Sequence, residues 1–425
     1  MSSSNKFFRV LHQSKKSKAR VGQIITQHGI IETPNFVPVG TNGTLKGIDN
    51  HSLSSLDVQL MFSNTYHLLI HPGVEAIEQA GGLHKFISRK HPIITDSGGF
   101  QVFSLQSTPT EEGVFEGESP RKLIELKGQS KNKAHSESLV ERVSEDGVTF
   151  RSYRDGKLLQ LTPETSVTAQ HKFGSDIIIP FDELLPEHVP MTVIEESLER
   201  THRWELRSLK CHLELSKQCN KHQHMYCVLH GGTNLDLRKK SMDTLLDPSC
   251  FQFRDTEDGL PNGFEGIAIG GSLGSNREEM LDVLKFTYNY LEEKIPQDCF
   301  VPNHILGIGD IASMKSFIEL GFDTCDSAYP TRLARHGNLI VGAASGNPTT
   351  LSIKSSASLG MHDRPIDTTC DCPVCSGPDA YSVAYLHHLF KMSEPTYITL
   401  STIHNVRQMM IWMKTIRERI KNDEL

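Results

Sequence analysis

The sequence predicts an α/β protein built on a (β/α)8 TIM barrel, and three observations predict it. Eight short β-rich runs each end in glycine, aspartate or another polar residue. Helical stretches fill several of the intervals between them. The chain has 425 residues, enough for one large domain or two ordinary ones. Strands alternating with helices argue for a parallel sheet, and eight such units argue for a closed barrel. A doubly wound open sheet would satisfy the same periodicity.

Before the first unit, residues 8–11 and 21–31 suggest a small hairpin, so residues 1–35 are expected to cap the barrel's bottom. The first three runs, 36–39, 60–62 and 92–95, lead into Gly40-Thr41, Asn64-Thr65 and Asp96-Ser97-Gly98-Gly99. Residues 176–180, 225–229 and 266–269 lead into Asp182-Glu183, His230-Gly231-Gly232 and Gly270-Gly271. Residues 304–306 run into Gly307 and Gly309, and Cys325-Asp326 leads to Tyr329. Residues 191–215 read as a helix with acidic groups early and basic groups late, which suits the macrodipole; 278–291 and 311–320 are shorter and amphipathic. Residues 105–146 are rich in Glu, Ser and Lys and poor in apolar groups. They read as an exposed insertion, partly helical or disordered, with a substrate lid as the alternative. The barrel is thus expected over 36–345, with the insertion at about 106–145, followed by a metal-binding subdomain and C-terminal helices over 346–425.

The net charge of −7 is not that of a general nucleic-acid binder. Basic residues are grouped locally (Lys15, Lys16, Lys18 and Arg20; Arg332 and Arg335; Arg417, Arg419 and Lys421), and charge alone reads these as solvated surface. No run of eighteen apolar residues exists, so no membrane-spanning helix is expected. The first residues lack an apolar core followed by a small-residue cleavage site, so no secretory signal is expected. Of nine cysteines, six are scattered without framework spacing, as reduced thiols of a cytoplasmic protein would be.

The other three cysteines crowd together as Cys370, Cys372 and Cys375, among Asp371, Pro373, Gly377 and Pro378, which favour turns. Thiolate sulfur and imidazole nitrogen are the ligands Zn2+ prefers. His404 is a candidate fourth ligand, with His387 and His388 as competitors. A closed four-ligand site is structural and points away from the chemistry. The chemistry is expected where polar groups end barrel strands, at Asp96, Asp182, His230, Gly271 and Asp326. Each of these alone could be an ordinary turn or cap residue.

The string ITDSGGFQVFSL, holding Asp96 to Gln101, resembles the central motif of the tRNA-guanine transglycosylases. SNTYHL (63–68), EDGVTFRSYRDG (145–156), GSDIIIPFDE (174–183), AIGG (268–271), GIGD (307–310), CDSAYPTRLARHG (325–337), AYLHHL (384–389) and the His404-Asn405 pair follow the same family's order. The resemblance covers nearly the whole chain. It implies a (β/α)8 barrel with a zinc subdomain near the end. It implies exchange of guanine at wobble position 34 of GUN-anticodon tRNAs for a 7-deazaguanine base, in queuosine modification. The route is a retaining double displacement through a covalent enzyme–RNA intermediate.

By the same resemblance Asp326 is the nucleophile and Asp96 the acid/base. Asp182 accepts the two adjacent N–H groups of guanine's edge. His230 and the backbone of Gly271 serve its oxygen, Phe100 and Leu306 stack on its faces, and Ser97, Gly98 and Gly99 complete the pocket. Matching tRNA-contacting segments are Gly307, Ile308, Gly309, Asp310, Ile311, Ala312 and Ser313, and Thr331, Arg332, Leu333, Ala334 and Arg335. One structural Zn2+ would sit on Cys370, Cys372, Cys375 and His404. A homodimer is implied by the bacterial relatives.

Two departures stand out. His230 replaces the family's usual glutamine, which would make base affinity depend on pH. Gly274 stands where bacterial members that use the aminomethyl precursor base (preQ1) carry valine, and Asn276 where they carry glutamate. A glycine at that point makes room for queuine, the full-sized base; its plainer reading is that it permits a turn. The competing functions are a non-catalytic accessory subunit of a heteromeric transglycosylase, an archaeal-type enzyme acting elsewhere on tRNA, and a zinc hydrolase. Retention of Asp96, Asp182 and Asp326 argues against the first. The shortness of the chain after His404 argues against the second, and a filled four-ligand site against the third.

Overall fold

The computed structural model describes residues 7–104, 139–185, 189–219, 222–254, 256 and 260–425. Three strands come first: β1 (Phe8–Gln13), β2 (Arg20–Thr26) and β3 (Gly29–Thr33). They form an antiparallel sheet in that order, so the expected hairpin gains a third strand. Gly29 supplies the positive φ that turns β2 back into β3.

The barrel strands are β4 (Asn35–Pro38), β5 (Met61–Ser63), β6 (Ile93–Thr95), β10 (Ile177–Ile178), β11 (His224–Leu229), β12 (Gly266–Ile269), β13 (Asn303–Ile305) and β14 (Thr324–Ser327). They make one eight-stranded sheet in the order β4-β14-β13-β12-β11-β10-β6-β5, so each strand neighbours the one before it in the chain. A parallel bridge between Val39 and Phe62 joins the two ends of that order, and the sheet is a nearly closed barrel. The open-sheet alternative is thereby set aside. All residues of β4, β5, β6, β11, β12, β13 and β14 are buried, as strands covered on both faces must be.

The expected helices appear as Met191–Gln218, Arg277–Lys294 and Ile311–Glu319. The last two start where sequence chemistry demands. Asn276 accepts the Glu279 N–H and Asp310 accepts the Ser313 N–H.

The chain divides into two compact units. The first, Asn64–Leu83 with Ile94–Val301, carries β6 to β12. It includes the antiparallel sheet of β7 (Val140–Ser144), β8 (Gly147–Arg151) and β9 (Leu158–Leu161). This corrects the reading of the polar insertion at its C-terminal end, because residues 140–144 are a strand. Val148, Phe150 and Leu161 from this sheet are buried with Tyr66, Phe181 and Trp204, and that burial outweighs the polar character of the flanking sequence. Residues 105–138, the rest of the insertion, lie outside the described residues.

The second unit, Lys6–Ser63 with His84–Ile93 and Pro302–Leu425, carries β1 to β5, β13 and β14, and the antiparallel pair β15 (Asn338–Val341) and β16 (Thr349–Ser352). Its C-terminal part is a core of Leu339, Ile353, Ile366, Val383, Leu386 and Tyr397, and this same core takes in Cys370, Cys372 and Cys375. Among the described residues no helix is long and apolar enough to cross a membrane.

Candidate active site and metal centre

In the first unit, the turn after β6 carries the largest cluster of sequence-predicted site residues. Asp96 is buried. Its Oδ2 accepts from Asn64 Nδ2 at 2.6 Å and from Gln101 Nε2 at 3.0 Å, and its Oδ1 accepts the Thr65 N–H at 2.7 Å. Burial raises the Asp96 pKa to about 6, the three hydrogen bonds hold it back, and the charge of Asp182 raises it further. A carboxyl group of that pKa can both give and take a proton near neutral pH.

Ser97 Oγ donates to Asp182 Oδ1 at 2.8 Å and accepts the Gly99 N–H at 3.1 Å. Gly99 is obligatory here, because a Cβ would lie 2.6 Å from the Asp182 carbonyl oxygen. Gly98 adopts φ +83°, which an L side chain rarely adopts. Phe100 follows and is 44% exposed.

His230, at the end of β11, places Nε2 3.1 Å from Asp182 Oδ2. The contact has ion-pair distance but not hydrogen-bond alignment. The imidazole thus bears on the same carboxylate that was expected to read the base edge.

Gly271 has φ +77°, and a Cβ there would come within 3.3 Å of His230 Nδ1. Gly274 has φ +108°, and a Cβ would meet Glu279 Cγ at 2.7 Å. Glu279 is fixed there by accepting the Ser275 N–H. The Gly274 backbone itself therefore requires glycine, whatever the base accommodated.

Sequence reasoning missed Arg238. It is 1% exposed and donates to the carbonyl oxygens of Gly232 (2.7 Å), Leu229 (3.3 Å), Gly270 (3.1 Å) and Ser272 (3.1 Å). Burial lowers its pKa to about 10. The guanidinium thus ties the loop of His230 to the loop of Gly271. Asn64, Thr65 and Gln101 were present in the quoted strings, but nothing in their spacing revealed that they converge on Asp96.

In the second unit, Asp326 occupies β14 and is buried. Its Oδ1 accepts the Gly307 N–H at 2.8 Å and lies 3.1 Å from His304 Nε2. His304 is wholly buried, its Nδ1 pairs with Thr324 Oγ1 at 2.9 Å, and its ring stacks on Phe62. A histidine inside a short buried strand was the only sequence signal for this partner.

Gly307 is exposed, while Ile308 and Leu306 are partly so. Gly309 is buried, because a Cβ would press on Phe36 and Ser327 at 2.8 Å. Asp310 and Ser313 are committed to the helix cap. Thr331 and Ala334 are buried, while Arg332, Leu333 and Arg335 are partly exposed, as is Ile311; Ala312 is exposed.

The cysteine cluster is also in this unit. Sγ of Cys370, Cys372 and Cys375 and a ring nitrogen of His404 all lie within 4.8 Å of one another, and all four residues are buried. His404 Nδ1 is 3.2 Å from Cys375 Sγ and 3.8 Å from Cys372 Sγ. Its Nε2 donates to the Ile340 carbonyl at 2.6 Å, which leaves the Nδ1 lone pair facing the sulfurs. His387 Nδ1 is turned instead to the Ile353 carbonyl at 2.6 Å. The cluster can bind a metal ion with four protein ligands and no open position.

A barrel with polar groups at the carboxyl ends of its strands, together with a closed thiolate–imidazole cluster able to hold a metal ion, defines a barrel enzyme. The comparisons name the family. A model described as queuine tRNA-ribosyltransferase matches residues 14–119 and 126–425. A protein named queuine tRNA-ribosyltransferase from Protochlamydia amoebophila is 46% identical over 416 residues, covering 98% of this chain and 95% of its own length. One of the same name from Chlamydia abortus is 47% identical over 419 residues, covering 98% and 99%. Another from Chlamydia trachomatis serovar L2 is 44% identical over 418 residues. The chain belongs to the queuine tRNA-ribosyltransferase family, a family of pentosyltransferases.

The Asp96 environment carries a stability prediction. A carboxyl raised from 3.8 to about 6 contributes stability that is complete below pH 3.8 and lost as pH rises through about 6. Two pKa units correspond to about 3 kcal/mol. Asp96→Asn is expected to be more stable than the parent at pH 8, by an amount that shrinks toward pH 4. Denaturant titrations at both pH values check this, and an equal difference at the two would refute it.

Proposed function

We propose that this chain exchanges guanine at position 34 of GUN-anticodon tRNAs for a 7-deazaguanine base, by a retaining double displacement. The observation that carries the reading is the Asp96 carboxyl, held by three donors beside the Ser97–Asp182 pair.

Asp326 attacks the anomeric carbon of the ribose as the bond to guanine N9 breaks, and the departing base takes a proton from Asp96. The 7-deazaguanine then attacks the same carbon, gives its N9 proton to Asp96, and frees Asp326. Both residues end as they began. Asp182, aimed by Ser97, accepts the base's two adjacent N–H groups, and Phe100 offers a stacking face. The amide of Gly307 and the imidazole of His304 would hold Asp326 in place. Arg332 and Arg335, with Gly307, Ile308 and Ala312, are among the groups of the two expected tRNA segments that have exposed surface for RNA contact.

The four-ligand cluster would hold one Zn2+ as a structural ion. The exposed rings of Tyr381 and Tyr385 stack together, and the Tyr381 N–H bonds the Val374 carbonyl inside the cysteine loop. That apolar surface supports a homodimer formed near the zinc site. Action on tRNA supports a cytoplasmic location.

An assay with labelled guanine and a tRNA bearing guanosine 34 tests the exchange. Incorporation by the unmodified chain is expected, and none would favour the accessory-subunit reading. Queuine is the proposed physiological base. The unmodified chain is expected to incorporate queuine faster than preQ1, and exclusive use of preQ1 would overturn that choice. The comparison needs no Gly274 variant, whose strain would confound it.

A further inference from the structure

We propose that His222, His224 and Glu265 form a second metal site, for a first-row divalent cation such as Zn2+. His222 and His224 are alternate residues leading into β11, and alternate residues of an extended chain share a face. Their rings lie 4.4 Å apart, edge to face. Glu265 stands immediately before the neighbouring β12, and its N–H donates to the Met225 carbonyl at 2.8 Å. The parallel pairing of β11 with β12 therefore brings a carboxylate against both imidazoles.

Glu265 Oε1 is 3.0 Å from His224 Nδ1 and 3.4 Å from His222 Nε2. Two ligands each about 2.0–2.1 Å from a tetrahedral ion lie roughly 3.3 Å apart, so the donors already have a metal's spacing. Glu265 is 3% exposed, and its Oε2 is buried with no hydrogen-bond partner. A buried carboxylate oxygen without a donor is costly, and a cation would satisfy it. Two imidazoles and one carboxylate suit zinc, cobalt, nickel or ferrous iron, with water completing the shell. His222 is 30% exposed, which gives an ion a route from solvent. Binding requires lone pairs at His222 Nε2 and His224 Nδ1, so each ring would carry its proton on the other nitrogen.

The site sits at the amino ends of β11 and β12, whereas His230 and Gly271 sit at their carboxyl ends. Groups at that face of a barrel serve stability rather than chemistry. The ion would clamp two adjacent strands and take no part in base exchange.

The test measures metal per chain by mass spectrometry in the full-length protein, after equilibration with Zn2+ and removal of free ion. The unmodified chain should hold about two equivalents, one in the cysteine cluster and one here. His222→Gln and Glu265→Gln should each hold about one, with base exchange retained. With Co2+ in place of Zn2+, the thiolate charge-transfer absorption of the cysteine cluster should be equal in parent and variants. One equivalent in the parent at saturating Zn2+, or a second equivalent that persists in His222→Gln, overturns the proposal. Should Glu265→Gln fail to fold, the variant of the partly exposed His222 decides alone.

Discussion

Asp326→Ala is expected to abolish base exchange, by about 10³-fold or more, while the chain stays folded and keeps the metal content of the parent. The side chain is a single buried carboxylate whose contacts are to Gly307 and His304. Alanine removes the atom that would bond to ribose, and no other step can replace a covalent intermediate. A tRNA adduct that survives denaturing electrophoresis should form with the parent and vanish with the variant. A persistent adduct would place the nucleophile elsewhere.

His304 makes the same prediction finer. Its observed contact is with Asp326, so in the proposed mechanism it would be a positioning residue. His304→Phe keeps the ring against Phe62 but loses both nitrogen contacts. Its kcat should fall by about ten- to a hundredfold with little change in KM, and the pH profile should shift. His304→Gln, which keeps a donor, should recover part of the loss. An unchanged pH profile with lowered thermal stability alone would mark the residue as merely structural.

The second large effect is on stability. Stripping the metal by chelation, or Cys375→Ser, is expected to lower Tm by about 10 °C or more. The cluster is part of the hydrophobic core of its unit, with Val374 and Cys372 both 1% exposed. Around it, Arg407 forms a bidentate pair with Asp371 at 2.7 Å, and Asn405 links the Ile340 N–H to the Pro330 and Asn338 carbonyls. Without the ion, three thiols and an imidazole would stay buried with no common partner. Hydrogen exchange should rise first between residues 338 and 410, ahead of the barrel strands. Loss of exchange activity with Tm unchanged would show that the metal acts in the chemistry instead.

Much of the architecture was legible along the chain. The eight runs read as strands match β4, β5, β6 and β10 to β14 within two residues at most ends, and the three helices match to within three residues. Two places differ more visibly from the reading. The run at 176–180 shortens to Ile177–Ile178. The polar stretch ends in β7, which pairs antiparallel with β8, and the turn between them is anchored where Glu145 is pinned by Arg203 and its carbonyl accepts from Trp204 Nε1. Those partners lie about sixty residues away in the chain, so they leave no local signature.

Of the candidate site, the sequence offered the motif residues but not the partners the structure gives them. Asp96, Asp182, Asp326 and the cysteine cluster announce themselves by type and spacing. The histidine chosen as fourth ligand is the one that faces the sulfurs, and His387 is occupied elsewhere. The contact of His230 with Asp182 was hidden, as were the carbonyl cage of Arg238 and the strain-free place of Gly274 beside Glu279.

By itself the sequence determined the alternation of strand and helix, the polar strand ends, and a metal-binding loop. These are local signals: residue periodicity, caps, turn chemistry and ligand spacing within a few positions. Only the tertiary structure decided which groups set the proton affinity of Asp96, which histidine steadies Asp326, and that His222 and His224 meet Glu265. Those outcomes depend on distances between side chains brought together by strand register, and a one-dimensional pattern contains no such distances.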